Sequence, residues 1–200
     1  MLTNNLKNCN FYWNHLWEIA KNLNYSFLRS YLYKLKLNKS LKNNNNLEIF
    51  LGNCYLQTGN YDLAERSLTS EDLPNHPLID LQICLGYLYK SFSRKNKSKK
   101  ETLISATRYF NNYCLDRIHE NVYEMLFNSG RFYQFIGCDV QAFESYNKLI
   151  NMFYKKISES EEKENITLIK KSTIYNYALM YKSSGNDFEA HNLLLDNIII

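Results

Sequence analysis

Residues 49–68, "IFLGNCYLQTGNYDLAERSL", set Tyr55, Gly59, Ala64 and Leu68 at three, seven, twelve and sixteen residues after Gly52. Residues 126–146, "LFNSGRFYQFIGCDVQAFESY", repeat those intervals with Gly130, Tyr133, Gly137, Ala142 and Tyr146. Residues 174–194, "IYNYALMYKSSGNDFEAHNLL", do so again with Ala178, Tyr181, Gly185, Ala190 and Leu194. Five matched positions in three places make an internal repeat, and a repeat governs the fold before any single motif does.

The physics of these positions is that of a pair of antiparallel helices. The first small residue lets a neighbouring helix approach closely, and the aromatic one turn later fills the space beside it. The glycine seven residues on ends the first helix by taking the left-handed conformation. Asn60-Tyr61-Asp62, Cys138-Asp139 and Asn186-Asp187 then supply turn and N-cap chemistry for the second helix. There the alanine keeps the pair close, where a larger side chain would part it. Gly86 with Tyr89 opens a fourth copy, 34 residues after Gly52. Its second-helix alanine, due twelve residues on, first occurs at Ala106. The excess of eight residues sits at the turn and includes Arg94, Lys95, Lys97, Lys99 and Lys100. Tyr109, Phe110 and Tyr113 follow as the apolar face of the second helix. From Gly130 to Ala178 the spacing is 48 residues, and the extra length falls around the acidic "SESEEKEN" of residues 158–165.

Composition agrees with long helices. The 200 residues are 45% hydrophobic and 15% aromatic, which excludes disorder, and hold only 2 Pro and 6 Gly, which disfavours a loop-rich β-sandwich. A net charge of +4 is too small to argue for nucleic acid by itself. Cys9, Cys54, Cys84, Cys114 and Cys138 form no C-x-x-C, and the histidines complete no zinc signature. They read as buried thiols of a reducing compartment. No segment has the length and apolarity of a signal peptide or a membrane span, so a soluble intracellular chain is expected. There is no G-x-S-x-G, P-loop or H-E-x-x-H. Glu161 and Glu162 lie on a polar stretch, without the burial that tunes a catalytic carboxylate. The expectation is no enzyme, no metal and no cofactor.

These helical pairs resemble the tetratricopeptide repeat, a helix-turn-helix unit of about 34 residues that stacks into a right-handed superhelix. The expected fold is therefore an all-α tetratricopeptide-like α-solenoid. Residues 1–44 would form a capping helical hairpin, with Trp13, Leu16, Trp17 and Ala20 on one face. Residues 45–200 would form an array of about four hairpins.

The irregularities carry a narrower resemblance. "NHPLIDLQICLGYLYKSFSRK", the extended basic turn, "ATRYFNNYC", the Asn128-Ser129-Gly130-Arg131 step and the closing Tyr175–Asn186 repeat occur in that order. Together they are similar to the C-terminal repeats of the large tetratricopeptide subunit of transcription factor IIIC, the assembly factor for RNA polymerase III. The similarity covers roughly residues 45–200 and, more weakly, 11–44. That subunit also has an N-terminal repeat arm and a central region, so recruitment of transcription factor IIIB by its arm is not carried over, and a reduced version of the subunit is expected. The resemblance implies a nuclear scaffold in tRNA gene transcription initiation. It would hold other subunits of a multiprotein complex, with only indirect contact to DNA and no membrane or small-molecule substrate.

A groove lined by the first helices of each pair would present Asn53, Asp80, Tyr87, Lys90, Glu124, Arg131, Gln134 and Lys182 to that partner. Two other readings remain beside it. An adaptor of a ubiquitin ligase or chaperone pathway would share the repeats, although Ile49 puts a hydrocarbon where a clamp for a carboxylate tail needs a cation. Direct non-specific DNA binding could use Arg94, Lys95, Lys97, Lys99 and Lys100, five cations with no aromatic residue between Arg94 and Lys100 for base stacking. A solvated loop is the plainer account of that tract.

Overall fold

The computed structural model describes residues 25–36, 45–69, 73, 76–93, 98–156 and 164–198. Regular structure among them is entirely α-helical, as expected. The helices are α1 Tyr25–Lys36, α2 Asn45–Gln57, α3 Tyr61–Leu68, α4 Pro77–Phe92 and α5 Lys99–Glu120. They continue with α6 Val122–Phe135, α7 Asp139–Lys156, α8 Glu164–Ser183 and α9 Asp187–Ile198. Of the expected hairpin over 1–44 only α1 is described. Trp13, Leu16, Trp17 and Ala20 lie outside the described residues, as does the acidic tract before Glu164.

The chain divides into two compact units, residues 1–113 and 114–200. In the first, α1 packs on α2 by burying Leu28 and Leu32 against Leu47, Leu51 and Cys54. Helices α2 and α3 lie together, and α4 packs on both, with Leu56, Ala64, Leu68, Ile79 and Ile83 between them. In the second unit α6 pairs with α7, α8 packs on both, and α9 returns along α8. Its core joins Ala142, Tyr146 and Ile150 to Tyr177 and Met180, ringed by Phe127, Tyr133, Phe143, Tyr181 and Leu193.

The repeat positions explain these pairings atom by atom. A Cβ on Gly52 would stand 2.5 Å from Leu68 Cγ, and one on Gly130 would stand 2.6 Å from Tyr146 Cδ1. In both pairs the first small residue meets the side chain sixteen positions later, which is buried. Gly86 makes a different approach, with its nearest neighbour Leu56 Cδ2 in the preceding first helix. Ala64, Ala106, Ala142, Ala178 and Ala190 are all buried. Tyr55, Tyr133 and Tyr181 pack as half-buried rings against the core clusters.

The three turns are superposable in their bonding. Gly59, Gly137 and Gly185 have φ of 73°, 78° and 81°. Each donates its N–H to the carbonyl three residues back, at Leu56, Gln134 and Lys182. The next N–H reaches back five residues, from Asn60 to Tyr55 at 2.8 Å, Cys138 to Tyr133 at 2.8 Å and Asn186 to Tyr181 at 2.9 Å. This pair of bonds satisfies carbonyls that a helix end leaves orphaned. The repeat aromatic thus fills the core with its ring and anchors the turn with its carbonyl. N-capping is less uniform than the sequence suggests. Asn186 Oδ1 accepts from Glu189 N at 3.3 Å, whereas Asn60 turns its amide back to the Thr58 carbonyl and hydroxyl and caps nothing.

The fourth copy departs where its glycine is missing. The residue seven after Gly86 is Ser93, with φ −65° and ψ 132°, so the left-handed turn does not form and α4 ends extended. Helix α5 then begins at Lys99 and buries Thr102, Ala106, Phe110 and Tyr113. Tyr89, expected as the gap-filling aromatic of this copy, is 45% exposed. Gly86 faces Leu56 of the preceding first helix, and here Leu88 is buried while Tyr87 stacks on Tyr109 at 5.8 Å. Gln82 Oε1 is a buried acceptor with no hydrogen bond among the described residues, a cost of about 1–3 kcal/mol.

Chemical denaturation separates the two uses of glycine. Gly130→Ala, which drives a methyl into the buried Tyr146 ring, is expected to cost about 2–3 kcal/mol. Gly137→Ala meets nothing within 4 Å and bears only the left-handed backbone penalty, about 1 kcal/mol. Equal losses at the two positions would contradict this division of roles.

Candidate functional site

Tyr87 and Lys90 face α3 from α4. The Tyr87 hydroxyl donates to Glu65 Oε1, and Lys90 Nζ pairs with Asp62 Oδ1 at 2.5 Å. Tyr87, Lys90 and Glu65, with Leu56, Tyr61, Ile83 and Gly86, line a cavity of about 10 Å³, room for about one water and no ligand. Burial first, and then the Glu65 hydrogen bond, hold the Tyr87 hydroxyl above the usual phenol range. Asn53 on α2 and Asp80 on α4 are half-buried.

In the second unit, Glu124 serves the junction between α5 and α6. It accepts from Arg117 Nη2 at 2.9 Å and Nε at 3.4 Å, and from Asn121 Nδ2 at 3.3 Å. Asn121 Oδ1 in turn caps α6 by accepting from Glu124 N at 3.2 Å. Gln134 Oε1 accepts from the Tyr146 hydroxyl at 3.1 Å, across the α6–α7 pair. Arg131 is exposed, its guanidinium 5.6 Å from the Phe127 ring centre, and Lys182 is exposed on α8.

Among the eight expected groove residues, Tyr87, Lys90, Glu124 and Gln134 are therefore hydrogen-bonded or ion-paired to other side chains of the same chain. Their polar atoms stiffen helix seams, while Arg131 and Lys182 remain open to solvent. Of the basic tract, Lys99 and Lys100 stand exposed in the first turn of α5, and Arg94, Lys95 and Lys97 lie outside the described residues. Of the groove residues' partners, Asp62 is expected from the sequence as turn and N-cap chemistry and instead pairs with Lys90, while Glu65 and Arg117 have no spacing that marks them. Asn121 has a readable signal, since "NVYE" places it three residues before Glu124, the pattern of a capped helix start.

A larger concavity opens between α7 and α8. Val140, Phe143, Met180 and Tyr181 form its apolar part, and Asp139, Glu144, Ser183, Ser184 and Asn186 its polar edge, around a space of about 520 Å³. Phe143 packs between Tyr177 at 4.8 Å and Tyr181 at 5.5 Å. Burial, and then the Tyr181 hydroxyl, raise the Tyr177 hydroxyl above its ordinary value, and burial pushes Tyr146 up to about 12. Burial likewise pushes the Cys54 thiol up to about 11, where it is no nucleophile at neutral pH. Among the described residues no group of His, Cys, Asp and Glu is placed to hold a metal, and no helix is long and apolar enough to cross a membrane.

No protein-family model matches the chain, and no curated protein is significantly similar to it.

The tyrosines give a pH signature with a definite sign. A hydroxyl whose pKa is raised by folding adds stability that is complete below its unfolded value, about 10, and is lost as pH climbs through the folded value. Thermal stability should therefore decline steadily above about pH 10, and Tyr146→Phe should flatten part of that decline. Phenolate absorbance that rises in one step near 10, with the helical circular dichroism intact, would contradict the burial described.

Proposed function

We propose that this chain is a non-catalytic protein-interaction scaffold of tetratricopeptide-like hairpins, acting as a subunit of a transcription factor IIIC-type assembly in RNA polymerase III transcription initiation at tRNA genes. The observation that carries the reading is the seam rule. In each unit the second helix of a pair packs on the first helix of the next, and successive first helices touch: α3 and α2 on α4, and α7 and α6 on α8. That is the neighbour pattern from which repeat arrays grow, and it supports solenoid stacking. The order of irregularities supports the narrower assignment. The basic turn falls at the copy lacking its glycine, and the Asn128–Arg131 step and the Tyr175–Asn186 closing repeat follow in sequence.

Function on this reading is presentation of a preformed surface. Side chains already immobilised, as Tyr87, Glu124 and Gln134 are, lose little further freedom when a partner docks, which lowers the ordering cost of binding. The surface open to the partner is then the exposed set that includes Arg131 and Lys182, with the nucleus as its place of action.

Affinity purification of the tagged protein from its own cells, with co-purifying chains identified by mass, tests the assignment. Co-purification of the other transcription factor IIIC subunits, weakened by an Arg131→Glu, Lys182→Glu double variant, is the expected result. Ubiquitin-ligase or chaperone components in their place would remove the transcription assignment. A steep fall in DNA affinity with salt, reduced by Lys99→Ala and Lys100→Ala, would favour direct backbone contact instead.

A further inference from the structure

Two faces of this molecule are apolar at the centre and opposite in charge at the edge. One is the groove between α7 and α8. Val140 is 69% exposed there, beside Phe143, and the carboxylates of Asp139 and Glu144 stand exposed at its edge. Among the described residues no ion pair engages either carboxylate. Asp187 and Glu189, exposed in the first turn of α9, extend the same acidic character past Asn186.

The other face is a stripe on α5 made by Lys100, Leu103, Ile104, Thr107, Arg108 and Asn111. These residues recur at intervals of three and four, so they share one side of the helix. Ile104 is 52% exposed, and Lys100 and Arg108 are exposed at either end of the apolar pair. The buried side of α5 is the separate row of Thr102, Ala106, Phe110 and Tyr113.

We propose that the α5 stripe of one copy docks in the α7–α8 groove of a second copy, so that the chain self-associates. Charge selects this pairing. Groove against groove sets carboxylate against carboxylate, and stripe against stripe sets cation against cation. Only groove against stripe brings Arg108 and Lys100 to Asp139 and Glu144 while covering Ile104 and Val140 together. The space between α7 and α8 is large enough for the Leu103 and Ile104 side chains. Because the two faces differ, the contact is heterologous, and association propagates unless its rotation closes a ring or a reciprocal pair. The inference is independent of the transcription reading and concerns copies of this chain alone.

Sedimentation velocity of the full chain over a hundredfold concentration range at low salt is the test, with circular dichroism to verify folding of each variant. The wild type should show a concentration-dependent rise in sedimentation coefficient that added salt abolishes. Glu144→Lys and Arg108→Glu, both on exposed side chains, should each weaken association by about tenfold or more. Mixing the two variants should restore it, since each then offers the other a matched face. A wild type that stays monomeric throughout would overturn the proposal. So would variants that associate undiminished, or a mixture no stronger than its parts.

Discussion

The close approach of two helices at a residue without a side chain is the constraint on which the rest depends. At Gly130 the Tyr146 ring lies where a Cβ would be, and at Gly52 the Leu68 side chain does the same. Proximity of that kind holds only if the chain reverses at a fixed distance from the contact. The left-handed glycine seven residues later provides the reversal, and the carbonyl of Tyr55, Tyr133 or Tyr181 receives the N–H that fixes it. Three residues thus determine one hairpin, and the hydrophobic clusters follow from where they place the flanking side chains.

The fourth copy shows what is lost when one of the three is absent. With Ser93 in the glycine's place the backbone leaves α4 extended, and the return helix is free to begin later, at Lys99. The contact partner changes too. Gly86 receives Leu56 from the preceding first helix, in place of a side chain from its own second helix. Tyr87 takes over the aromatic role by bridging from Glu65 to Tyr109. A repeat thus tolerates an irregular turn by shifting the burden of cohesion from within the hairpin to its neighbours.

This explains how much was legible in the sequence. The all-helical character and the turn glycines could be read directly, because glycine and alanine at fixed intervals have few other physical uses. The buried alanines and the rings of Tyr55, Tyr133 and Tyr181 followed from the same intervals. The intervals misplace Tyr89, since they assume that the small residue faces its own second helix, whereas Gly86 faces Leu56 of the preceding first helix. The groove residues were harder still. Spacing puts Lys90, Glu124 and Gln134 on a helix face, but Asp62, Arg117 and Tyr146 decide whether that face is free, and these lie 28, 7 and 12 residues away on other helices. The α5 stripe has helical spacing of its own, but the α7–α8 groove draws its lining from two helices and the turn after them, and no spacing within one helix marks it.

Amide hydrogen exchange at Asn60, Cys138 and Asn186 tests the central claim most directly. If the tyrosine carbonyls anchor the three turns, these amides exchange as slowly as those in the middle of α2, α6 and α8, while the Ser93 amide, at a helix end that leaves extended, exchanges faster. Exchange at the rate of an unprotected loop at all three positions would show that the turns are not anchored, and the hairpins would need another origin.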